Sequence, residues 1–261
     1  MFDIKLPSET EVGLAVVCDY HIGSKNCDIG AIKRWVAEIK TEGWLVLVLG
    51  DVMDMSLKTS VGDVYDQTLS PAEQLDEATA LLDPIKDQII GTIGGNHSQR
   101  VVRSVGMDPD AMLASNLGVP YEPFITQGRI QVGDAHWKVV AHHGAGGGMM
   151  IGSKLNMAAK LSKIYPMADL LLVGHGHGDV CGSDVVYDLA LNHGKVKQTR
   201  HTRHYSMCGS TLEYEGSYAE AKMLAPAQMA QMCHFLGSRK HVSKGGDYYK
   251  VKPFRREVRY F

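Results

Sequence analysis

The sequence is short of several features, and each shortage narrows the reading. It has five cysteines, Cys18, Cys27, Cys181, Cys208 and Cys233, and no two of them form a C-x-x-C pair. That speaks against a zinc ribbon, and the odd count speaks against a closed disulfide framework and for a reducing compartment. No apolar run is long enough to cross a bilayer. The longest, such as "WLVLVLG" and "ADLLLVG", fall far below the roughly 20 residues a helical span needs. The opening "MFDIKLPSETEV" has neither a basic n-region nor an apolar h-region, so the expectation is a cytoplasmic protein without a leader or membrane partner. Excess charge of one sign is also missing. A net charge of -2 gives the whole chain no nucleic-acid footprint. Locally this changes: Ser238 to Phe261 carries eight Lys/Arg against two Asp/Glu. There is no internal repeat, low-complexity segment or convincing linker, so residues 1–261 are expected to form a single domain, ample for a sizeable core.

What is present is a series of short apolar runs separated by helical patterns. "VGLAVVC", "IIGTIGG" and "ADLLLVG" read as short strand-like runs, and "WLVLVLG" has the continuous apolar character of a strand buried on both faces. Between the first two, Ile32, Trp35, Val36 and Ile39 recur at helical spacing, with Gly43 as a stop. Ser70, Pro71 and Glu73 make a capping box with proline at the first helical position, and Pro84 is expected to kink or end that helix. A shorter helix is expected between Asp108 and Gly118, a hairpin turning at Gly133-Asp134, and a helix over "SKLNMAAKLSKIYP". Beyond Cys181 the stretches "SDVVYDLAL", "KVKQTRHTRHYSMCGS", "TLEYEGSYAEAKM" and "DYYKVKPFRREVRYF" read as strands; "LAPAQMAQMCHFLG" fits either a helix or a covering loop. The pattern predicts an α/β core with a second sheet.

The polar residues at the ends of the apolar runs are the most informative feature. Five stretches stand there: "DYH" (Asp19, His21), "GDVMD" (Asp51, Asp54), "GNH" (Asn96, His97), "HHG" (His142, His143) and "GHGH" (His175, His177). In open α/β sheets ligands bind at the carboxyl ends of strands. Asp19 and His21, like His175 and His177, are two apart, so on extended backbone they point to one side. A carboxylate and an imidazole on one side make half of a divalent metal site. Asp51 and Asp54 at the end of a buried run are costly unless something positive meets them; a helix cap would explain only one of them. His142 and His143 point opposite ways on a strand, so only one of the pair faces the others.

In this order the motifs resemble those of the calcineurin-like metallophosphoesterases, whose signature is D-x-H, G-D-x-x-D, G-N-H-[DE], a histidine after a strand, and G-H-x-H. The resemblance runs from Val12 to Asp179 through motifs. It implies a four-layer α/β/β/α sandwich holding two divalent ions, Mn²⁺ first, with Fe or Zn²⁺ as alternatives. Asp19, His21 and His177 would hold one ion and Asn96, His143 and His175 the other, with Asp51 bridging them. His143 is preferred to His142 because it directly precedes a glycine. His97 would be the general acid, oriented by Asp54. The string from "HHGAGGG" to "GHGH" is similar to compact members found in bacteriophage genomes, which would put the protein in a host cytoplasm.

The implied function is hydrolysis of a phosphoester, with a phosphodiester first. DNA is one candidate, contacted through Ser238 to Phe261 and Lys195 to His204; small phosphoesters are the alternative, and a non-catalytic scaffold of the same fold is the third. Arg100 can touch a substrate phosphate or form a surface ion pair, and the "GAGGG" loop can cradle a phosphate or simply turn. The motifs leave the oligomeric state open. One position departs from the signature: Ser98 stands where an acid usually follows G-N-H. If that acid mainly braces the loop, a hydroxyl does so less strongly; if it helps tune His97, the general acid here depends more on Asp54 alone. Ser98→Asp is expected to be tolerated and Asp54→Asn to damage turnover.

Overall fold

Strand-forming runs rich in Val, Leu and Ile give the chain its frame. In a computed structural model of the protein the strands are β1 (Phe2–Leu6), β2 (Glu11–Val17), β3 (Leu45–Val48), β4 (Ile89–Ile93), β5 (Tyr121–Glu122), β6 (Ile125–Val132), β7 (Ala135–His142), β8 (Leu170–Val173), β9 (Val180–Asn192), β10 (Lys195–Met207), β11 (Ala230–Gly237), β12 (Lys240–Ser243), β13 (Gly246–Tyr249) and β14 (Phe254–Arg259). The helices are α1 (Ile29–Glu42), α2 (Pro71–Leu82), α3 (Asn96–Val105), α4 (Pro109–Leu117), α5 (Ile151–Ile164) and α6 (Tyr218–Ala221). The structure describes residues 1–261 except 59, 61–63, 147, 149, 193, 194, 222, 224, 225, 227, 228, 239, 244, 245, 250–253, 260 and 261. The "GAGGG" loop therefore lies partly outside the described residues, and so do the side chains of the basic segment from residue 239 onward.

The fold is mixed α/β. One six-stranded sheet has the order β1-β6-β7-β8-β10-β9, a second has the order β14-β11-β2-β3-β4-β5, and β12 and β13 form a separate ribbon. Both large sheets mix parallel and antiparallel neighbours: β2, β3, β4 and β5 run parallel while β11 runs against β2, and β7 and β8 run parallel while β6 runs against β7.

Alternation along β2 shows how both faces are used. Leu14 and Val16 join Leu47, Leu49 and Ile93 in a buried cluster with Ile130, Val132, Trp137, Val139, Leu170 and Leu172 of the other sheet. Ala15 and Val17 point the other way, into a cluster with Ile32, Trp35 and Ile39 of α1, Ala78 and Leu82 of α2, and Leu113 and Leu117 of α4. A third cluster packs Val140, Leu171 and Val173 against Ala158 and Leu161 of α5. Double-sided burial explains why these runs read as continuously apolar.

Local signals end the helices where expected. The Asp28 side chain accepts from the Ala31 amide at the start of α1, and Gly43 closes it with φ 67. Ser70 and Glu73 complete the capping box of α2. Pro84 stops that helix, and the chain continues as a 3-10 turn over Asp83–Gln88. The β6–β7 hairpin turns at Gly133-Asp134, with Val132 opposite Ala135.

Three segments differ from the reading. Helix α3 was not anticipated: it buries only Ser98 and Val101, so it lacks an apolar stripe to announce it. "AQMCHFLG" is the strand β11, between β14 and β2, and its burial on both faces removes any alternation. "TLEYEGSYAEAKM" is largely turn, with the short α6.

Gly50 joins β3 to the site. Its φ is 84, and a Cβ there would lie 2.5 Å from the Gly95 backbone. We expect Gly50→Ala to lower unfolding stability by about 1–3 kcal/mol through strain. An unchanged urea midpoint would contradict this packing.

Candidate metal centre

The polar residues gather where parallel strands of both sheets end. β2 delivers Asp19 and His21, β3 delivers Asp51 and Asp54, β4 leads into Asn96 and His97, β7 leads into His143, and β8 leads into His175 and His177. The backbone bends sharply to do this. Seven described residues other than glycine have positive φ, and five of them are Asp19 (52), His21 (52), Asp51 (50), His175 (65) and His177 (45). Left-handed backbone is unfavourable for such residues and persists only where surroundings enforce it. Here main-chain bonds between the bends enforce it: Asp19 N donates to Gly50 O at 3.2 Å, His21 N to Asp51 O at 3.0 Å, and Gly174 N to His143 O at 2.9 Å.

Two sets of ligand-type atoms result. In the first, His21 Nε2 lies 3.1 Å from His177 Nε2, and Asp19 Oδ1 lies 3.5 Å from His177 Nε2 and 3.9 Å from His21 Nε2. In the second, Asn96 Oδ1 lies 2.8 Å from His143 Nε2 and 2.6 Å from His175 Nδ1, and Asp51 Oδ2 lies 3.1 Å from His143 Nε2. Asp19, His21 and His177 thus form one group able to hold a metal ion, and Asp51, His143 and His175 form another. A third such group, His21, Asp51 and His97, links the two.

The ring nitrogens facing these clusters are set by bonds at the far side of each ring. His143 Nδ1 is 2.7 Å from the Leu49 carbonyl and donates to it, which turns Nε2 inward. His21 Nδ1 is 3.1 Å from Asp54 Oδ1, which does the same. His142 takes no part: it is half-buried, and its Nδ1 accepts from the Gly144 amide at 2.7 Å.

A divalent cation fits this donor set. Asp19 Oδ1 is fully buried yet accepts no hydrogen bond of normal geometry, a costly state for a carboxylate oxygen unless a cation meets it. Carboxylate, amide and imidazole are ligands for Mn²⁺, Fe or Zn²⁺. The Cys18 thiol, next in sequence to Asp19, donates to the Gly209 carbonyl. The Asn96 side-chain amide lies against the His143 and His175 rings; with its oxygen toward them it can ligate, and with the amide turned over that oxygen accepts from Arg100 Nη2 at 3.2 Å.

Electrostatics reflect the crowding. Burial raises the Asp51 carboxyl, but His143, His97 and His21 outweigh it and hold the pKa well below the usual range. Burial likewise opposes ionisation of Asp19, and His177 and His143 outweigh it. Burial lowers His143, yet Asp51 beside it pushes its pKa up to about 10. Burial dominates at His97, bringing it down to about 4 against the pull of Asp51 and Asp54.

His97 is held by its Nδ1 against the Asp54 carbonyl. The Asp54 carboxylate lies nearer His21 (3.1 Å) than His97 (3.4 Å). Asp54 is itself fixed by Ser56 Oγ at 2.7 Å and Gln67 Nε2 at 2.6 Å. Nothing in the sequence marked Ser56 or Gln67, which sit in a loop without a motif. The cavity over the site has a volume of about 220 Å³ and is lined by Asp51, Asp54, Asn96, His97, His175, His177 and Arg100 among others. Asp19 and His143 lie buried behind it.

Ser98 points away from this cavity in character: it is fully buried. Burial pushes the neighbouring Asp110 carboxyl up to about 6, and the Ser98 hydroxyl facing it pulls the other way, although that hydroxyl has no hydrogen bond of normal geometry. Ser98→Asp would place a second buried carboxyl against Asp110, so the expected tolerance of that change is reversed.

No protein-family model matches the chain, and no curated protein matches it. Among solved structures it is similar to a Plasmodium protein described as "GAP50 the anchor in the inner membrane complex of Plasmodium". The identity is 11%, the TM-score 0.42, and the match covers 96% of this chain and 89% of that one. A likeness of that degree carries no argument about fold or chemistry. Among the described residues no helix is long and apolar enough to cross a membrane.

The shift at His143 has a consequence for metal uptake. At pH 7 a folded-state pKa of about 10 keeps the ring protonated, and a ligating imidazole must lose that proton. Titrating Mn²⁺ into chelator-treated protein, in buffers of different protonation enthalpy, should show release of about one proton or more per chain. The same pair stabilises the metal-free protein fully below pH 6.5 and loses its contribution as pH rises toward about 10. Uptake without proton release would contradict the assignment of His143.

Proposed function

We propose that the chain is a metal-dependent phosphoester hydrolase of the calcineurin-like metallophosphoesterase type, with the four-layer α/β/β/α arrangement of that family. Its first substrate class is a phosphodiester, with DNA as one candidate. The reading rests above all on two side-chain groups able to hold a metal ion, linked through His21 and Asp51, beside a cavity that His97 helps to line. Asp19, His21 and His177 would hold one ion, and Asn96, His143 and His175 the other, with Asp51 shared and Mn²⁺ the first choice. When bound, such ions polarise phosphate oxygens and lower the pKa of water.

The protein's own groups supply the rest. His97 Nδ1 is tied to the Asp54 carbonyl, so Nε2 is the atom free to serve a leaving oxygen. With its pKa near 4 the ring is neutral at pH 7 in the absence of substrate. To act as an acid the ring must carry a proton as the leaving oxygen departs, and the phosphate anion of a bound substrate is the charge that would favour that form. Asp54 orients His21 as well as His97, so Asp54→Asn should affect metal uptake and turnover together. Arg100 adds a cation at the cavity wall, suited to a phosphate oxygen.

For DNA, the distal half of β10 offers exposed Lys195, Lys197 and Arg200. The proximal half is committed elsewhere: Arg203 Nε donates to Asp184 Oδ1 at 2.8 Å and His201 Nε2 to the Ala168 carbonyl at 3.0 Å. Among the described residues, a contact with the DNA backbone along β10 would fall on the outer part of the β9–β10 hairpin.

The test is a panel with Mn²⁺-loaded protein: bis-p-nitrophenyl phosphate, p-nitrophenyl phosphate, and single- and double-stranded DNA. Hydrolysis of the diester should vanish with chelator and return with Mn²⁺. Cleavage of the monoester alone would replace the diesterase reading with a small-molecule phosphatase, and no hydrolysis by loaded protein would favour a scaffold. His97→Ala should reduce kcat by about 100-fold or more on a poor leaving group. An unchanged rate would remove His97 from the chemistry.

A further inference from the structure

We propose that Asp110 is a positioning residue of the metal centre: its buried carboxylate fixes the Gly95 amide and so sets where Asn96 and His97 stand. The inference rests on the reading of Asn96 as a ligand and adds a residue to it from outside the five motifs.

Asp110 lies on α4 and is 1% exposed. A buried carboxylate needs a partner, and its own helix does not supply the reason for it. The cap of α4 is Asp108, whose Oδ1 accepts from the Asp110 and Ala111 amides while its Oδ2 accepts from Tyr121 Oη at 2.6 Å. Asp110 instead reaches out of the helix, and its Oδ2 accepts from Gly95 N at 2.8 Å.

The segment it grips needs an external hold. Gly94 and Gly95 precede Asn96, and two glycines give the backbone wide freedom. Glycine is nevertheless required at 95, because a Cβ there would lie 2.1 Å from Asp51 Oδ1. The freedom must therefore be removed by bonds rather than by side-chain bulk. Asp51 Oδ1 supplies one, accepting from His97 N at 2.9 Å. Asp110 supplies the other. The amides on both sides of Asn96 are thus each held by a buried carboxylate, at the N-terminal end of α3 where negative groups are favoured. Asp51 belongs to the ligand set and Asp110 does not, so Asp110 is the part of the clamp that remains whether or not a metal is bound.

The test reads metal affinity rather than activity. Mn²⁺ binding is measured calorimetrically in two backgrounds: His177→Ala, which leaves the Asn96 set intact, and His175→Ala, which leaves the Asp19 set intact. Asp110→Ala should weaken binding by about 10-fold or more in the first background and leave the second unchanged. Asp110→Asn keeps an acceptor oxygen for Gly95 N and should lose only about 3-fold, again in the first background alone. It also provides the reading if the alanine variant does not fold. Equal weakening in both backgrounds, or a lowered melting temperature with unchanged affinity, would make Asp110 merely structural and overturn the proposal. Asn96→Ala is the control. If it leaves affinity unchanged in the first background, the ligand reading itself fails; if it weakens binding and Asp110→Ala does not, only this inference fails.

Discussion

Two carboxylates, Asp19 and Asp51, sit almost wholly out of solvent at the ends of neighbouring parallel strands, and the rim of the molecule is organised around their charge. Buried anions side by side repel each other and lose hydration. Hydrogen bonds relieve part of this: Asp19 Oδ2 accepts from His175 N, and Asp51 Oδ1 accepts from His97 N. The histidine rings relieve more. Asp19 Oδ1 is still left without a bond of its own, facing two ring nitrogens. The ligand-type atoms gathered around this gap could hold a metal ion.

The fold makes this crowding possible. Parallel neighbours bring their carboxyl ends to one rim, so β2, β3 and β4 of one sheet and β8 of the other end near a common point. The shared core between the sheets, from Leu14 and Leu47 to Leu170 and Leu172, keeps those ends in register. The strained φ values at Asp19, His21, Asp51, His175 and His177 are stable because the scaffold beneath is closely packed and bonded across the bends. Gly50 and Gly95 allow two of the bends to touch.

Much of this was legible from residue order, and the limits have physical causes. Double-sided strands announced themselves as continuous apolar runs, and α1, α2 and α4 by their caps and stops. The residues at the strand ends were readable because Asp, Asn and His after a buried run have little structural reason to be there. Groups acting from a distance were hidden. Gln67, Ser56 and Asp110 reach the site from loops or another helix, with no local pattern to mark them. Helix α3 carries little signal because it buries only Ser98 and Val101, and β11 because burial on both faces erases its period. Ser98 looked like a loop residue at the site, but folding buries it against Asp110, where a third party controls its role.

If the gaps in this rim are metal sites meeting at Asp51, anomalous diffraction at the manganese edge from crystals equilibrated with Mn²⁺ should show one peak among Asp19, His21 and His177, a second among Asn96, His143 and His175, and the Asp51 carboxylate between them. Crystals that take up no manganese at this rim, or that bind it without Asp51, would contradict this assignment.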